Sequence, residues 1–389
     1  MIKIADSSRC CGCSACVAIC PHGAIQMQAD RLGFPYPVVD GDKCVDCGLC
    51  DNVCVFVTDV EAVKPVPMDT EVEVLAARHL NPDILSQSQS GGAFTAIADQ
   101  VLKDDGVVYG AAFDSNHIVR HIRVSDQEGL GVLRGSKYVQ SDLTDIFIQV
   151  KSDLADGLKV LFAGTPCQVA GLKSYIPKKL QEGLLTVDFI CHGVPSPAIW
   201  KDYLSYVSRR GKVVKANFRD KNIAGWKEHK ETFIYSNGVK RVADTFRVLF
   251  YKNIMLRHSC AVCPYHILNH KSDVTIADFW GVEEHLPQLD GPEGTSMVVC
   301  NSEKGQEVMK SATAELLTAR TVMNYDFMAR RNPNLVHPAH IDKDRMAFEN
   351  EYACKGFVRV ARRWGDLGLR YRLWLIKRSV KNLLNKCRG

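Results

Sequence analysis

Sixteen cysteines stand in a chain of 389 residues, and eight of them repeat one spacing. Cys10-x-x-Cys13-x-x-Cys16-x-x-x-Cys20-Pro21 is followed by Cys44-x-x-Cys47-x-x-Cys50-x-x-x-Cys54-Val55. Three thiolates at intervals of three wrap a short loop around one iron–sulfur cubane, and in two-cluster modules the fourth reaches the other cubane. The spacing therefore predicts Cys10, Cys13, Cys16 and Cys54 on one [4Fe–4S] cluster, and Cys44, Cys47, Cys50 and Cys20 on a second. Thiolate is a soft donor suited to iron, and its hydrogen bonding and exposure set the cluster's potential. The chemistry implied is transfer of single electrons. Zinc knuckles or disulfides would not require two four-cysteine motifs of identical internal spacing. Cys11 is extra to the pattern and reads as a bystander.

Four further cysteines lie later in the chain: Cys167 in GTPCQVAGL, Cys191 in DFICHGVPSP, and Cys260 with Cys263 in RHSCAVCPY. The first two directly follow the apolar runs KVLFAG and LLTVDFIC, and open α/β sheets place their sites at the carboxyl ends of strands. A Cys-x-x-Cys loop closing over them would complete a set of four thiolates, so a third [4Fe–4S] cluster is expected. Buried small hydrophobes for Cys167 and Cys191, and a zinc site or redox pair for Cys260 and Cys263, stay open as alternatives. His192, beside Cys191, is the candidate proton donor, although a histidine after a strand also serves as a structural hydrogen-bonding group.

The elements that must hold these residues read as follows. The cysteine-rich start is an α+β ferredoxin-type module, and VTDVEAVKPVPMDTE, with Pro65 and Pro67, is an extended linker. Beyond it, strand-like runs (EVLAARH, GVVYGAAF, KVLFAG, LLTVDFIC) alternate with helix-like patterns (GAFTAIADQVL, DIFIQVKSDLAD, AIWKDYLSYVSRR), predicting an α/β domain with a mixed, partly parallel sheet. KVLFAG and LLTVDFIC are almost continuously apolar and belong in its centre. Asn237-Gly238 marks a tight hairpin in an antiparallel excursion.

Apolar residues at 46% and charged residues at 24% are ordinary globular usage and exclude wholesale disorder. The N-terminus lacks the apolar centre of a secretory signal, and no uninterrupted run of about 18 apolar residues appears, so a cytoplasmic location is expected. The net charge of +5 is uneven: residues 355–389 carry eleven Lys or Arg against one acid, Asp366, leaving the rest of the chain at −5. That imbalance, with no cations interleaved among aromatics on a reading module, argues against nucleic acid. Leu369, Leu373, Ile376, Val380, Leu383 and Leu384 recur at helical spacing, predicting a C-terminal basic amphipathic helix that docks a partner, lies peripherally on the inner face of a membrane, or packs on its own domain.

Two small-residue segments carry a further expectation. Ser88-Gln89-Ser90-Gly91-Gly92-Ala93-Phe94-Thr95 opens a helix whose first amides could approach a phosphate, with Ser90 as a plain helix cap the alternative. Arg134-Gly135-Ser136-Lys137-Tyr138 gathers a hydroxyl, cations and an aromatic in one loop, or is a solvated turn. With the cysteine motifs, these segments, GTPCQVAGL, FRDKNIAGWK, RHSCAVCPY, DVTIADFWG and GTSMVVCNSEKG resemble the beta subunits of coenzyme F420 hydrogenases and dehydrogenases. That family includes the iron–sulfur flavoprotein that reduces hydroxymethyl chlorophyll. The resemblance covers most of residues 1–305 and implies FAD, with contacts from Ser90, Gly91, Gly92, Thr95, Ser136, Lys137, Tyr138, Asn217 and Arg219. The expected division is a 4Fe-4S ferredoxin-type domain at 1–57, a linker at 58–72, an α/β domain at 73–352, FAD-binding by the resemblance, and the basic helical tail at 353–389. The expected function is an iron–sulfur flavoprotein oxidoreductase working between a partner subunit or ferredoxin on one side and an organic substrate or deazaflavin-like carrier on the other. The alternative is an electron-wiring subunit that docks a partner enzyme and binds no flavin. HG after Cys191 departs from the family pattern and leaves the substrate open.

Overall fold

The computed structural model describes residues 2, 6–58, 66–341, 343–369 and 373. Thirteen strands lie among them: β1 Ile25–Ala29, β2 Pro35–Val39, β3 Glu71–His79, β4 Val107–Phe113, β5 Val119–Val124, β6 Val160–Ala163, β7 Leu184–Phe189, β8 Val213–Asn217, β9 Glu231–Tyr235, β10 Lys240–Ala243, β11 Val274–Asp278, β12 Ser296–Cys300 and β13 Leu316–Asn324. β1 and β2 pair antiparallel between the two cysteine motifs. Eight strands form one sheet in the order β13-β3-β12-β11-β7-β6-β4-β5, and β10-β9-β8 form a separate antiparallel sheet.

The large sheet is mixed. β11, β7, β6 and β4 run parallel, whereas β5, β12 and β13 run against their neighbours. β6 and β7 sit side by side in the interior of the parallel block, as their unbroken apolar character requires. Since β12 is antiparallel to both β3 and β11, the carboxyl ends of β3, β4, β6, β7 and β11 all emerge on one edge. That shared edge is where the loops bearing Cys167, Cys191 and the SGG segment begin. The Asn237-Gly238 hairpin joins β9 to β10, with Gly238 at φ +79°.

Helices cover both faces. Ala93–Lys103 and Glu303–Ala312 pack on one side against Val108, Leu161, Leu185 and Val298. Ile146–Ala155 and Pro166–Tyr175 cover the other through Phe147, Val150, Val169 and Leu172, and Ala15 and Val53 of the cysteine-rich segment join the same cluster. The ferredoxin-type segment is therefore seated on the helix that carries Cys167, so cysteines far apart in sequence share one core.

The helix Arg345–Arg363 crosses the expected boundary at 352/353. It breaks at Gly356 (φ +69°), and residues on both sides, Phe348, Tyr352, Phe357 and Val360, enter one core with Trp200 and Tyr203. Arg359 and Arg363 pair with Glu351, so part of the basic segment is neutralised within its own helix. The amphipathic helix expected over 369–384 lies outside the described residues apart from Leu369 and Leu373, both exposed. Residues 59–65 of the expected linker are likewise outside them. Among the described residues no helix is long and apolar enough to cross a membrane.

Candidate metal centre and cofactor site

The structure gathers thiols into three groups, and no described cysteine forms a disulfide. Cys20, Cys44, Cys47 and Cys50 line one cavity with His22, Ala24 and Ile25. Cys47 is exposed, which puts this group at the surface. Cys10, Cys13, Cys16 and Cys54 form the second group, further inside. Burial, followed by the neighbouring Cys13, Cys10 and Cys54, pushes the Cys16 thiol far up, and burial takes Cys54 to about 11. In both groups the fourth cysteine of one motif has crossed to the other motif's first three.

The third group lines a cavity with Pro166, Arg257, Tyr265 and His266: Cys167, Cys191, Cys260 and Cys263, joined by Cys11. Cys167 occupies the first turn of Pro166–Tyr175, capped by Thr165 and Gln168. Hydrogen bonding from Cys11 leads the effects that lower it to about 7, Thr165 adds a contact at 3.2 Å, and a helix N-terminus favours negative charge. Burial pushes Cys191 and Cys263 well up and Cys260 to about 11. Such thiols are neutral alone, but a thiol that coordinates a metal is deprotonated outright. Each group offers four sulfur donors around one space, the set that a cubane takes.

Cys11 was expected to be a bystander. It is instead a buried wall of the third cavity, and hydrogen bonds to Cys13 and Cys167, together with burial, drive its thiol well above its usual range. His192 has both ring nitrogens engaged: Nε2 meets Asn253 Oδ1 at 2.7 Å and Nδ1 meets Asn334 Nδ2 at 3.2 Å. An imidazole held so, and lowered by burial, is a hydrogen-bonded strut between two loops.

The residues expected at a flavin form a connected patch on the same sheet edge. Gln89, with its amide turned to suit both partners, donates to Arg219 O at 2.7 Å and accepts from Arg219 Nε at 3.2 Å. Arg219 also donates to Asp278 Oδ2 and Trp226 O, both at 2.6 Å, and its guanidinium faces Trp280. Asn217 Oδ1 accepts from Arg219 N, and Tyr138 hydrogen-bonds the guanidinium while its ring meets His229 and Phe250. Lys221 Nζ ties Ser90 O to Glu293 O.

Other members of the set are turned to local tasks. Ser90 Oγ donates to Thr295 O at 2.8 Å. Gly91 lies so close to the sheet that a Cβ there would sit 2.0 Å from Ala77 O. Gly92 (φ +81°) caps the helix Ala93–Lys103, and Thr95 accepts from Arg134 Nε at 3.3 Å. Lys137 Nζ donates to Val132 O, Leu133 O and Arg134 O. Burial drives it down to about 7, while three carbonyls matching its three N–H groups hold the ammonium form. Ser136 is half-buried beside it. Gln89, Lys221, Trp226, Asp278 and Trp280 were not singled out from sequence, although four of them sit inside FRDKNIAGWK and DVTIADFWG.

A further group, His79, Asp99 and Glu315, brings metal-binding side chains together on the other side of the SGG loop. His79 Nδ1 accepts the Asn81 N–H at 3.1 Å, which leaves the ring proton on Nε2, 3.7 Å from Glu315. A metal-bound histidine donates through its second nitrogen, so this is a proton-sharing cluster.

Comparison with known proteins meets this geometry at both ends of the chain. Residues 9–57 match the 4Fe-4S dicluster domain, and residues 157–324 match the family described as the C-terminal part of the coenzyme F420 hydrogenase/dehydrogenase beta subunit. The match to the coenzyme F420 hydrogenase/dehydrogenase beta subunit is thus confined to residues 157–324. The first two thiol groups fall within the dicluster match, so iron–sulfur electron transfer is the chemistry it supports, and the third group falls within the other match. One subunit of the H(2):CoB-CoM heterodisulfide,ferredoxin reductase of Methanothermobacter marburgensis is 34% identical over 84 residues, covering 18% of this chain and 12% of that protein. The same subunit from Methanothermobacter thermautotrophicus is 33% identical over the same shares. The chain thus spans about an eighth of the length of those relatives. A chain in the F420-reducing [NiFe] hydrogenase complex from Methanosarcina barkeri is 18% identical, with a TM-score of 0.47 over 75% of this chain and 96% of that one.

Proposed function

We propose that this protein is an iron–sulfur flavoprotein oxidoreductase that passes electrons between a partner subunit or ferredoxin and an organic substrate, through three [4Fe–4S] clusters and FAD. The observation that carries the reading is the convergence of Cys167, Cys191, Cys260 and Cys263 on one cavity whose wall, Cys11, also touches the inner ferredoxin-type group. The three thiol groups then form a series from surface to interior: Cys44 with its partners, Cys10 with its partners, and the third set at the carboxyl edge of the sheet. The clusters exchange single electrons and a flavin exchanges one or two, so their pairing couples single-electron supply to a two-electron organic reaction.

The chain's own part is to hold, insulate and orient. Phe56, Tyr265 and Ala170 keep water from the seam between the inner and third sets. The amides after Gly92 offer positive charge to a phosphate-bearing ligand at the sheet edge, while Arg219, paired with Asp278, and Lys221, bonded to Ser90 O and Glu293 O, hold the loops around it beside Trp226, Trp280 and Tyr138. The complexes named for the relatives suggest a partner protein docking at the Cys47 surface.

A second reading has one observation in its favour: Ser90, Gly91 and Lys137 are engaged with the chain's own backbone, as in a wiring subunit without flavin. Gentle anaerobic purification followed by iron, sulfide and flavin analysis separates the two. Twelve irons and one FAD per chain are expected. Eight irons would overturn the third cluster, and absence of flavin would favour the wiring subunit.

A further inference from the structure

We infer that Arg257 is a shared counter-charge for the inner and third thiol sets, coupling their reduction potentials. The inference rests on the third-cluster reading above. Arg257 is 1% exposed and stands three residues before Cys260, yet it reaches back to the start of the chain. Its Nε donates to Cys10 O at 2.7 Å, its Nη2 to Pro35 O at 2.9 Å, and Nη2 also lies 3.5 Å from Cys10 Sγ. Nη1 donates to Gln140 Oε1 at 2.9 Å, and Gln140 Nε2 donates in turn to Cys11 O at 3.1 Å. The guanidinium lies over the Tyr36 ring, 4.2 Å from its centroid, and forms part of the wall of the third cavity.

A buried cation is costly unless an anion faces it. Among the described residues no carboxylate lies within ion-pair distance of Arg257; of the hydrogen-bond acceptors named above, only the Cys10 sulfur would become anionic, on coordinating a metal. Its guanidinium touches the Cys10 sulfur of the inner set and lines the cavity that Cys167, Cys191, Cys260 and Cys263 share. One fixed positive charge thus serves two thiolate sets, and Cys11 bridges Cys13 to Cys167 in the same seam. Hydrogen bonds and positive charge at cluster sulfurs make a cluster easier to reduce. Placed between two sets, Arg257 raises both potentials together and keeps the step between them level. The surface set, Cys20 with Cys44, Cys47 and Cys50, lies outside its contacts and serves as an internal reference.

The test is an EPR-monitored redox titration of full-length, anaerobically purified protein, with iron counted first. In Arg257→Gln holding twelve irons, the reduced-to-oxidised ratio of both inner centres at a fixed poise should fall about tenfold, equivalent to about 59 mV for a one-electron couple. The surface centre should not move, and Arg257→Lys should restore part of the shift. Unmoved inner centres would overturn the inference, and so would a shift confined to the Cys10 set. Should Arg257→Gln lose iron, Gln140→Glu keeps the guanidinium and sets a carboxylate on it: a fall at both centres is expected, and unchanged potentials at full iron would again overturn the inference. Eight irons in the unaltered protein would instead remove the third-cluster reading, and the bridge with it, before any variant is compared.

Discussion

Gly171 lies in the middle of the helix Pro166–Tyr175, and an alanine there would ordinarily stabilise a helix by about 1 kcal/mol. Here the added methyl would meet Cys13 Sγ at 2.7 Å and Cys13 Cβ at 2.8 Å. Ordinary contact begins at 3.4 Å, so either the helix or the cysteine loop must retreat by about 0.7 Å. Overpacking of a close-fitted interior costs about 1–3 kcal/mol, which exceeds or cancels the propensity gain. The loss falls on Cys13, a predicted ligand, because the helix is fixed by Val169 and Leu172 in the core. Gly171→Ala should therefore lose about four irons per chain and unfold at lower denaturant. Gly41→Ala, which meets nothing within 4 Å, should change neither. Anaerobic iron analysis beside guanidinium titration reads both quantities. Full iron with a midpoint at or above the parent's would refute the placement of Cys13 against this helix.

Cys20→Ala, though it lies in the first motif, should remove the surface centre with Cys44, Cys47 and Cys50; EPR loss of the inner centre instead would reverse the crossed assignment. Burial, with Glu315 beside it, raises Asp99 to about 6 from an unfolded value of 3.8, so the folded state holds its proton more tightly. That contribution is complete below the unfolded value and is lost as pH rises from about 4 to 6. Asp99→Asn should flatten the denaturation midpoint across that window and exceed the parent at pH 8; an unchanged pH slope would show that Asp99 carries no such proton.

The first eight candidate ligands were legible because cluster loops are local: three cysteines at intervals of three need only a few residues of backbone to converge. β6 and β7 were legible because a strand buried on both faces must be apolar throughout. Cys167 and Cys191 could be set at the ends of neighbouring strands, with Cys260 and Cys263 closing over them, from the apolar runs and the Cys-x-x-Cys spacing, and the pairing of β6 with β7 and the shared cavity agree with that. The flavin candidates show the opposite limit. Gly91 has the composition of a phosphate loop, yet its missing side chain is required by the approach of the Ala77 carbonyl. A glycine's reason lies in what comes near it, and that neighbour can come from any part of the chain.

By itself, the sequence determined the spacing of the thiols, the alternation of strands and helices, and hence the class of chemistry. Arg257 and Cys11 gained their places only in the tertiary structure. Cys10 and Arg257 are 247 positions apart and meet because the cysteine-rich segment packs on the helix that carries Cys167. Local spacing specifies a ligand set; the charge that faces it is specified by packing, since burial removes water and leaves the nearest cation to act across whatever distance the fold has closed.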